Sequence, residues 1–275
     1  MKNRGISLVE LLVAIVVATI ILGAVASMFI GSNRAFRGNR DVSEMSEDVR
    51  NAITTLEFLF SRWGAGVPCP GNTTDQNNVC NINPNLIPPC NNQYPPQDPM
   101  CMDIAGSSVT FYANLYGIGF VRAVSGNNAT VISCRLNTGA NQNCYYVWHN
   151  ARIKPGYDNN GRPVVVSLGG SLNQPDCMTG MNTVSIPANL GNNVNLGAGD
   201  YITRVPHRIT IRMDGDWLVM DRVDMAGNCT DNENAVRIGR VQNFSVQAQG
   251  RSVRVDATFL SADGRQYQIT RYYGR

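Results

Sequence analysis

The sequence predicts an α+β protein: a long N-terminal helix, with a membrane half and an amphipathic half, packed on an antiparallel β-sheet, with a disulfide-stapled loop between them. Three observations predict this. Residues 6–30 are an apolar run whose one charge is Glu10. Beyond that run, Val42, Met45, Val49, Ile53, Leu56, Phe60 and Trp63 recur at steps of three and four, the spacing of one helical face. From about Ser108 onward, apolar and polar residues alternate in short runs between Gly- and Asn-rich turns, the period of half-buried strands.

Taken in order, Met1-Lys2-Asn3-Arg4-Gly5 is a short basic leader (residues 1–5) closed by glycine. At 1.5 Å per residue the run 6–30 makes a helix of roughly 37 Å, enough for a bilayer core of about 30 Å. Lys2 and Arg4 before it predict a cytoplasmic N-terminus. A carboxylate inside such a run costs roughly 2.5–3.5 kcal/mol, so Glu10 needs a reason to be there. A secretory signal is cut after its apolar segment. Here the predicted cut precedes the segment, which stays on the mature chain. Residues 31–66 continue as the amphipathic half, with Asp41, Glu44, Glu47, Asp48, Arg50 and Glu57 falling largely off the apolar face. Gly64, Gly66 and Pro68 predict its end. Residues 67–105 hold eight of the thirteen prolines, many asparagines and four cysteines, and read as a long loop. Residues 106–275 read as an antiparallel β domain. Val109–Tyr112, Phe120–Val124 and Val164–Val166 are strand candidates. Clearer alternation runs through Ile209, Ile211 and Met213, and through Val253, Val255, Ala257 and Phe259. Asp263-Gly264 marks a hairpin before Tyr267–Thr270.

The chain has 275 residues, is 43% hydrophobic and carries a net charge of +3. Without Lys2 and Arg4, its 23 basic residues against 20 acidic ones become 21 against 20. So near-neutral a balance argues against a general polyanion-binding surface. Arg265, Arg271 and Arg275 leave one local basic patch, for which nucleic-acid contact stays open beside the ordinary solvated face. Eight cysteines (Cys69, Cys80, Cys90, Cys101, Cys134, Cys144, Cys177 and Cys229) all follow the apolar run, and an even number in an exported domain reads as disulfides. Short spacing favours local pairs, notably Cys134 with Cys144. Without a Cys-x-x-Cys and with only His149 and His207, the sequence predicts neither a metal centre nor a cofactor. The two histidines lie in no nucleophile motif and read as surface or hydrogen-bonded structural residues. Asp221, Asp224, Asp231 and Glu233 could ligate calcium, but lack EF-hand spacing and read as a solvated loop. Asp158-Asn159-Asn160-Gly161 reads as a turn.

The leader, its glycine, a hydrophobic residue after it and Glu10 five residues into the mature chain resemble the class III leader of type IV pilins and type II secretion pseudopilins. The resemblance implies cleavage by prepilin peptidase between Gly5 and Ile6, and N-methylation of Ile6. It also implies that Glu10 pairs with the free amine of an adjacent subunit during assembly. The helix end Phe58–Gly66 and the C-terminal strands ending Arg271-Tyr272-Tyr273 are similar to W-type minor pilins and J-type pseudopilins. Implied partners are other pilin subunits, the peptidase and an inner-membrane assembly platform. The implied location is the inner membrane, then the periplasm or an extracellular pilus. A secretion pseudopilin, a pilus-displayed adhesin or DNA-uptake module, and a membrane-anchored periplasmic enzyme are the alternatives. The family itself implies no catalysis.

Overall fold

The computed structural model describes residues 47–71, 80, 82–133, 136, 144–150, 152–154, 156–158, 162–168, 182–191, 194–226, 229, 231–261 and 264–274. The apolar run 6–30, Val42 and Met45 lie outside them. Among the described residues no helix is long and apolar enough to cross a membrane. These residues are mostly β, with one short helix, α1, over residues 47–61. The strands are β1 (Met102–Ala105), β2 (Ser108–Ala113), β3 (Ile118–Ser125), β4 (Asn128–Ser133), β5 (Tyr145–His149), β6 (Arg152–Lys154) and β7 (Asn182–Pro187). They continue with β8 (Tyr201–Arg204), β9 (His207–Asp214), β10 (Trp217–Asp224), β11 (Glu233–Gln249), β12 (Ser252–Leu260) and β13 (Gln266–Gly274). They form a seven-stranded sheet, β1-β2-β9-β10-β11-β12-β13, and a six-stranded sheet, β6-β5-β8-β3-β4-β7.

The expected α+β class, a long N-terminal helix on one sheet, is therefore corrected to a mostly β architecture with two antiparallel sheets. Two physical reasons account for the difference. The weight given to helix came from residues before 47. One strand of the second sheet also hides its period: Tyr145, Tyr146, Val147 and Trp148 are all buried, so both faces of β5 are apolar and no alternation shows. Val164–Val166 forms no strand; Val166 makes one isolated bridge to Tyr145. The β12–β13 hairpin predicted around Asp263-Gly264 is present, with Gly264 at φ +82°.

Helix α1 shares a core with the seven-stranded sheet. Ala52, Leu56, Leu59, Phe60 and Trp63 pack with Phe111, Ile209, Ile211, Leu218, Val253, Val255 and Phe259. Burying side chains such as Leu56 and Phe60 contributes roughly 1.5–3 kcal/mol each. Phe60 stacks on Tyr273 at 4.6 Å, and Trp63 Nε1 donates to Cys101 O at 3.1 Å. Gly239 permits the close approach of helix and sheet, since a Cβ there would lie 2.9 Å from that of Ala52. The helix stops where predicted: Gly64 has φ +72°, and its N–H leaves the helix to donate to Tyr112 O. The six-stranded sheet has its own core, built on Val121, Val131, Leu136, Tyr145, Val147, Ile186 and Ile202. The chain crosses between the sheets at the β2–β3 and β8–β9 connections.

The proline-rich stretch is tied down at several points. Disulfides join Cys69 to Cys80 and Cys90 to Cys101. Arg251, in the β11–β12 turn, reaches into the loop. Its Nη1 donates to Asn83 O at 2.6 Å, Leu86 O at 3.2 Å and Asp98 Oδ2 at 2.9 Å. Asp98 is buried and also accepts from the N–H of Met100. Removing one partner of a buried ion pair costs about 3–5 kcal/mol. Arg251→Ala should therefore destabilise the domain by about 3 kcal/mol in urea unfolding and expose residues 82–98 to protease. If the variant keeps the wild-type urea midpoint and protease pattern, Arg251 is not the clamp.

Candidate functional site

The densest cluster of chemistry-bearing side chains among the described residues sits where the two sheets meet. Arg204 ends β8 and His207 begins β9, so both enter the seam as the chain passes between sheets. Asp224 ends β10 directly opposite His207 in the ladder. Asp231 follows in the β10–β11 connection, and Tyr116 in the β2–β3 connection. His207 is fully buried, and Arg204 and Asp224 nearly so. His207 Nε2 lies 3.1 Å from Asp224 Oδ1 and 3.5 Å from Asp231 Oδ2. Arg204 Nη2 lies 3.4 Å from Asp231 Oδ2 and 3.8 Å from Asp224 Oδ2, with its guanidinium 4.7 Å over the Tyr116 ring. Arg222 Nη2 donates to Asp231 Oδ1 at 2.6 Å and lies 3.1 Å from Glu233 Oε1. The Tyr116 hydroxyl donates to Asp231 Oδ2.

This cluster could hold a metal through His207, Asp224 and Asp231, whose ligand atoms all lie within 4.8 Å of one another. Charge argues otherwise. Two guanidiniums face the three carboxylates of Asp224, Asp231 and Glu233, leaving one negative charge. A divalent cation overshoots that remainder. Although His207 Nε2 and Asp224 Oδ1 are 3.1 Å apart, neither makes a hydrogen bond, so the contact is close but poorly directed. Burial pushes the Asp231 carboxyl up, but Tyr116, Arg222, Arg204 and His207 outweigh it and hold it below the ordinary carboxylate value. Burial, then the bond to Asp231, pushes the Tyr116 hydroxyl up to about 12.

A second cluster lies on the six-stranded sheet. The fully buried Asp200 carboxylate binds His149 Nδ1 at 2.6 Å and accepts from Lys154 Nζ at 2.9 Å and Gly197 N at 2.8 Å. Burial raises its pKa, and these three partners more than reverse that, leaving it lowered. A buried carboxylate orienting an exposed imidazole is half of a hydrolase triad. The missing half is a nucleophile: among the described residues, His149 Nε2 meets Asn150 Nδ2 at 3.2 Å, not a hydroxyl or thiol.

The other sequence-predicted residues are placed as follows. Gly5, Ile6 and Glu10 lie outside the described residues, as do Cys134, Cys177 and Arg275. Cys144 pairs with Cys229 across 85 residues, so the expected Cys134–Cys144 bridge is corrected. A short loop favours proximity in the unfolded chain; here β5 instead brings Cys144 to the β10–β11 connection. The acidic stretch is not a solvated loop. Asp221 accepts from Arg212 Nε at 2.9 Å and from Ala235 N at 2.7 Å, and the other three carboxylates are paired as above. His207 is the expected structural histidine, but in an ion cluster and not at the surface. Asp158 forms a turn, accepting from Arg162 N at 2.8 Å. Arg271 pairs with Glu57 at 3.2 Å. Sequence reading missed Arg204, Asp200 and Arg251. The available signal was a lone charge inside an apolar strand, Tyr201-Ile202-Thr203-Arg204-Val205.

Residues 1–26 match the family model described as the prokaryotic N-terminal methylation motif. An uncharacterized protein of Aquifex aeolicus (strain VF5) is 30% identical over 226 residues, covering 76% of this chain and 72% of that protein. No solved structure matches the chain.

Two outcomes follow from the junction. Asp224→Ala removes the more deeply buried of the two carboxylates facing Arg204 and His207, leaving Asp231 alone beside them, and should cost about 3 kcal/mol in urea unfolding. Because the Asp200 and Asp231 carboxyls are held low when folded, their stabilisation is complete above the unfolded carboxylate value of about 3.9. It is lost as pH falls through the lower folded values. Thermal melts in acid should therefore show a steep fall below about pH 4 that Asp231→Asn flattens. An Asp231→Asn protein with the wild-type pH profile would remove this carboxylate from the account.

Proposed function

Because the chain belongs to the type IV pilin-like family, we propose that it is a minor subunit of a type IV pilus, present in low copy to prime assembly or sit at the tip. The observation that carries this is the N-terminal methylation match over residues 1–26, which contains Gly5, Ile6 and Glu10 at the spacing of a prepilin leader. Such a leader suggests membrane insertion, then display, and implies other pilin subunits and a prepilin peptidase as partners. Three disulfides among the described residues fit an oxidising compartment beyond the inner membrane.

In this proposal residues 1–5 are removed as the leader, and residues 6–30 anchor and then pack among neighbouring subunits. Residues 31–66 lead into the β domain, which carries residues 67–105 as a stapled loop. Glu10 has a specific task. A carboxylate in a low-dielectric bundle is tolerable only when paired. The amine released at Ile6 by cleavage supplies that charge from the next subunit, coupling processing to register. The minor pseudopilin of a type II secretion system is the second reading, favoured by the likeness of the Phe58–Gly66 helix end to J-type pseudopilins.

N-terminal sequencing of the membrane-extracted protein should begin at N-methylated Ile6; an intact Met1, or a cut beyond residue 20, sinks the proposal. Glu10→Val should leave a processed protein whose disulfides and β domain are unchanged, while incorporation into filaments is lost. Normal incorporation of that variant would strip Glu10 of its role. Loss of surface pili on deleting the chain supports the pilus subunit, and loss of secretion with intact pili supports the pseudopilin.

A further inference from the structure

Residues 82–98, which run into the Cys90–Cys101 loop, line a cavity of about 570 Å³ that opens to solvent. That is within the roughly 300–1,000 Å³ of small-molecule sites. Its walls are Ile82, Asn83, Pro84, Pro88, Pro89, Cys90, Asn91, Gln93, Gln97 and Asp98. The backbone around it is held from several sides. The disulfide closes the loop. Asp103 Oδ1 accepts from Cys90 N at 2.8 Å and Asn91 N at 3.2 Å. The Tyr112 hydroxyl donates to Gln93 O at 3.0 Å, and the Arg251 clamp holds Asn83 and Asp98 from behind. A cavity so framed keeps its shape before a ligand arrives, which lowers the cost of binding.

The donor set is unusual in being almost entirely amide. Among the described residues, the side-chain amides of Asn91, Gln93 and Gln97 make no hydrogen bond within the protein. The Asn83 carbonyl oxygen is used by Asn85 N and Leu86 N, which leaves its NH₂ to donate. Each free amide offers one acceptor and two donors side by side. The one ionised group in the wall, Asp98, is already committed to Arg251 and to the N–H groups of Asn83 and Met100. No lysine or arginine lines the cavity, and prolines and Ile82 supply apolar C–H surface between the amides. A charged ligand finds no counter-charge here. A purely apolar ligand would bury amides unpaired, at about 1–3 kcal/mol each. The complementary chemistry is an uncharged molecule dense in groups that both donate and accept, with apolar faces between them.

We propose that this cavity binds a neutral saccharide, the amides pairing with its hydroxyls and the proline and Ile82 surface covering its C–H face. This goes beyond the filament-subunit proposal and does not rest on it.

The full chain in detergent micelles should be applied to an array carrying neutral, sialylated and sulfated glycans together with short extended peptides. Retention on neutral glycans is expected. Gln93→Ala/Gln97→Ala should weaken the best of them at least tenfold by calorimetry, with far-UV circular dichroism and the disulfide count unchanged. Both positions are exposed, so the double variant should fold. Binding to no glycan, to anionic glycans alone or to peptides alone overturns the proposal, as does undiminished binding by the folded double variant. None of these outcomes touches the filament proposal, since the assay needs no filament.

Discussion

The relative placement of the two sheets depends on one buried electrostatic junction. Arg204 belongs to the six-stranded sheet, His207 and Asp224 to the seven-stranded one, and Tyr116 and Asp231 to the connections that flank both. None of these side chains is stable alone in the interior. A buried guanidinium or carboxylate without a partner loses several kcal/mol of hydration. Arg204 finds its carboxylates only when the seven-stranded sheet is docked against β8, which ties the placement of one sheet to the other.

The Cys144–Cys229 bridge reinforces the same seam. Cys144 immediately precedes β5, and Cys229 stands two residues before Asp231. In the chain-entropy view, closing 85 residues removes about 4–5 kcal/mol of freedom from the unfolded state. The local effect matters as much. The bridge packs with Tyr146, Trp148 and Val205 and holds the connection that delivers Asp231 to Arg204 and Arg222. Covalent and ionic ties thus act on one short stretch of chain, from opposite sides of the crossover.

What was legible in the sequence follows from how far each signal reaches along the chain. The period of β9 and β12, the Gly264 hairpin and the Gly64 stop are local, and the structure contains them all. The six-stranded sheet was legible only in part: Phe120–Val124 marks β3, whereas β5 is apolar on both faces and β8 is only four residues long. The Cys144 pairing and the Arg204 cluster join residues far apart in sequence, where spacing carries no information. Asp221 through Glu233 illustrates the limit well. Four acids in thirteen residues look solvated until Arg204 and Arg212 arrive from two other strands, beside Arg222 of the stretch itself. The N-terminal motif, by contrast, was readable because it is addressed to other proteins and must be presented linearly.

That contrast bears on how the molecule divides its work. The features that make the chain a pilin-like subunit are concentrated before residue 27, where the methylation motif ends. Residues 82–101 belong to the domain that follows. They are irregular, yet fixed by a disulfide, two carboxylates and an arginine lent by a distant turn. Ordering an irregular segment costs roughly 1–2 kcal/mol per residue in backbone entropy, and a loop with no task could relinquish that order cheaply. Surface rigidity of this kind is what a recognition element requires, because a ligand then meets a shape already formed. The stapled loop is accordingly the part of the domain where specificity has room to reside, while the β junction beneath it supplies the stiff base.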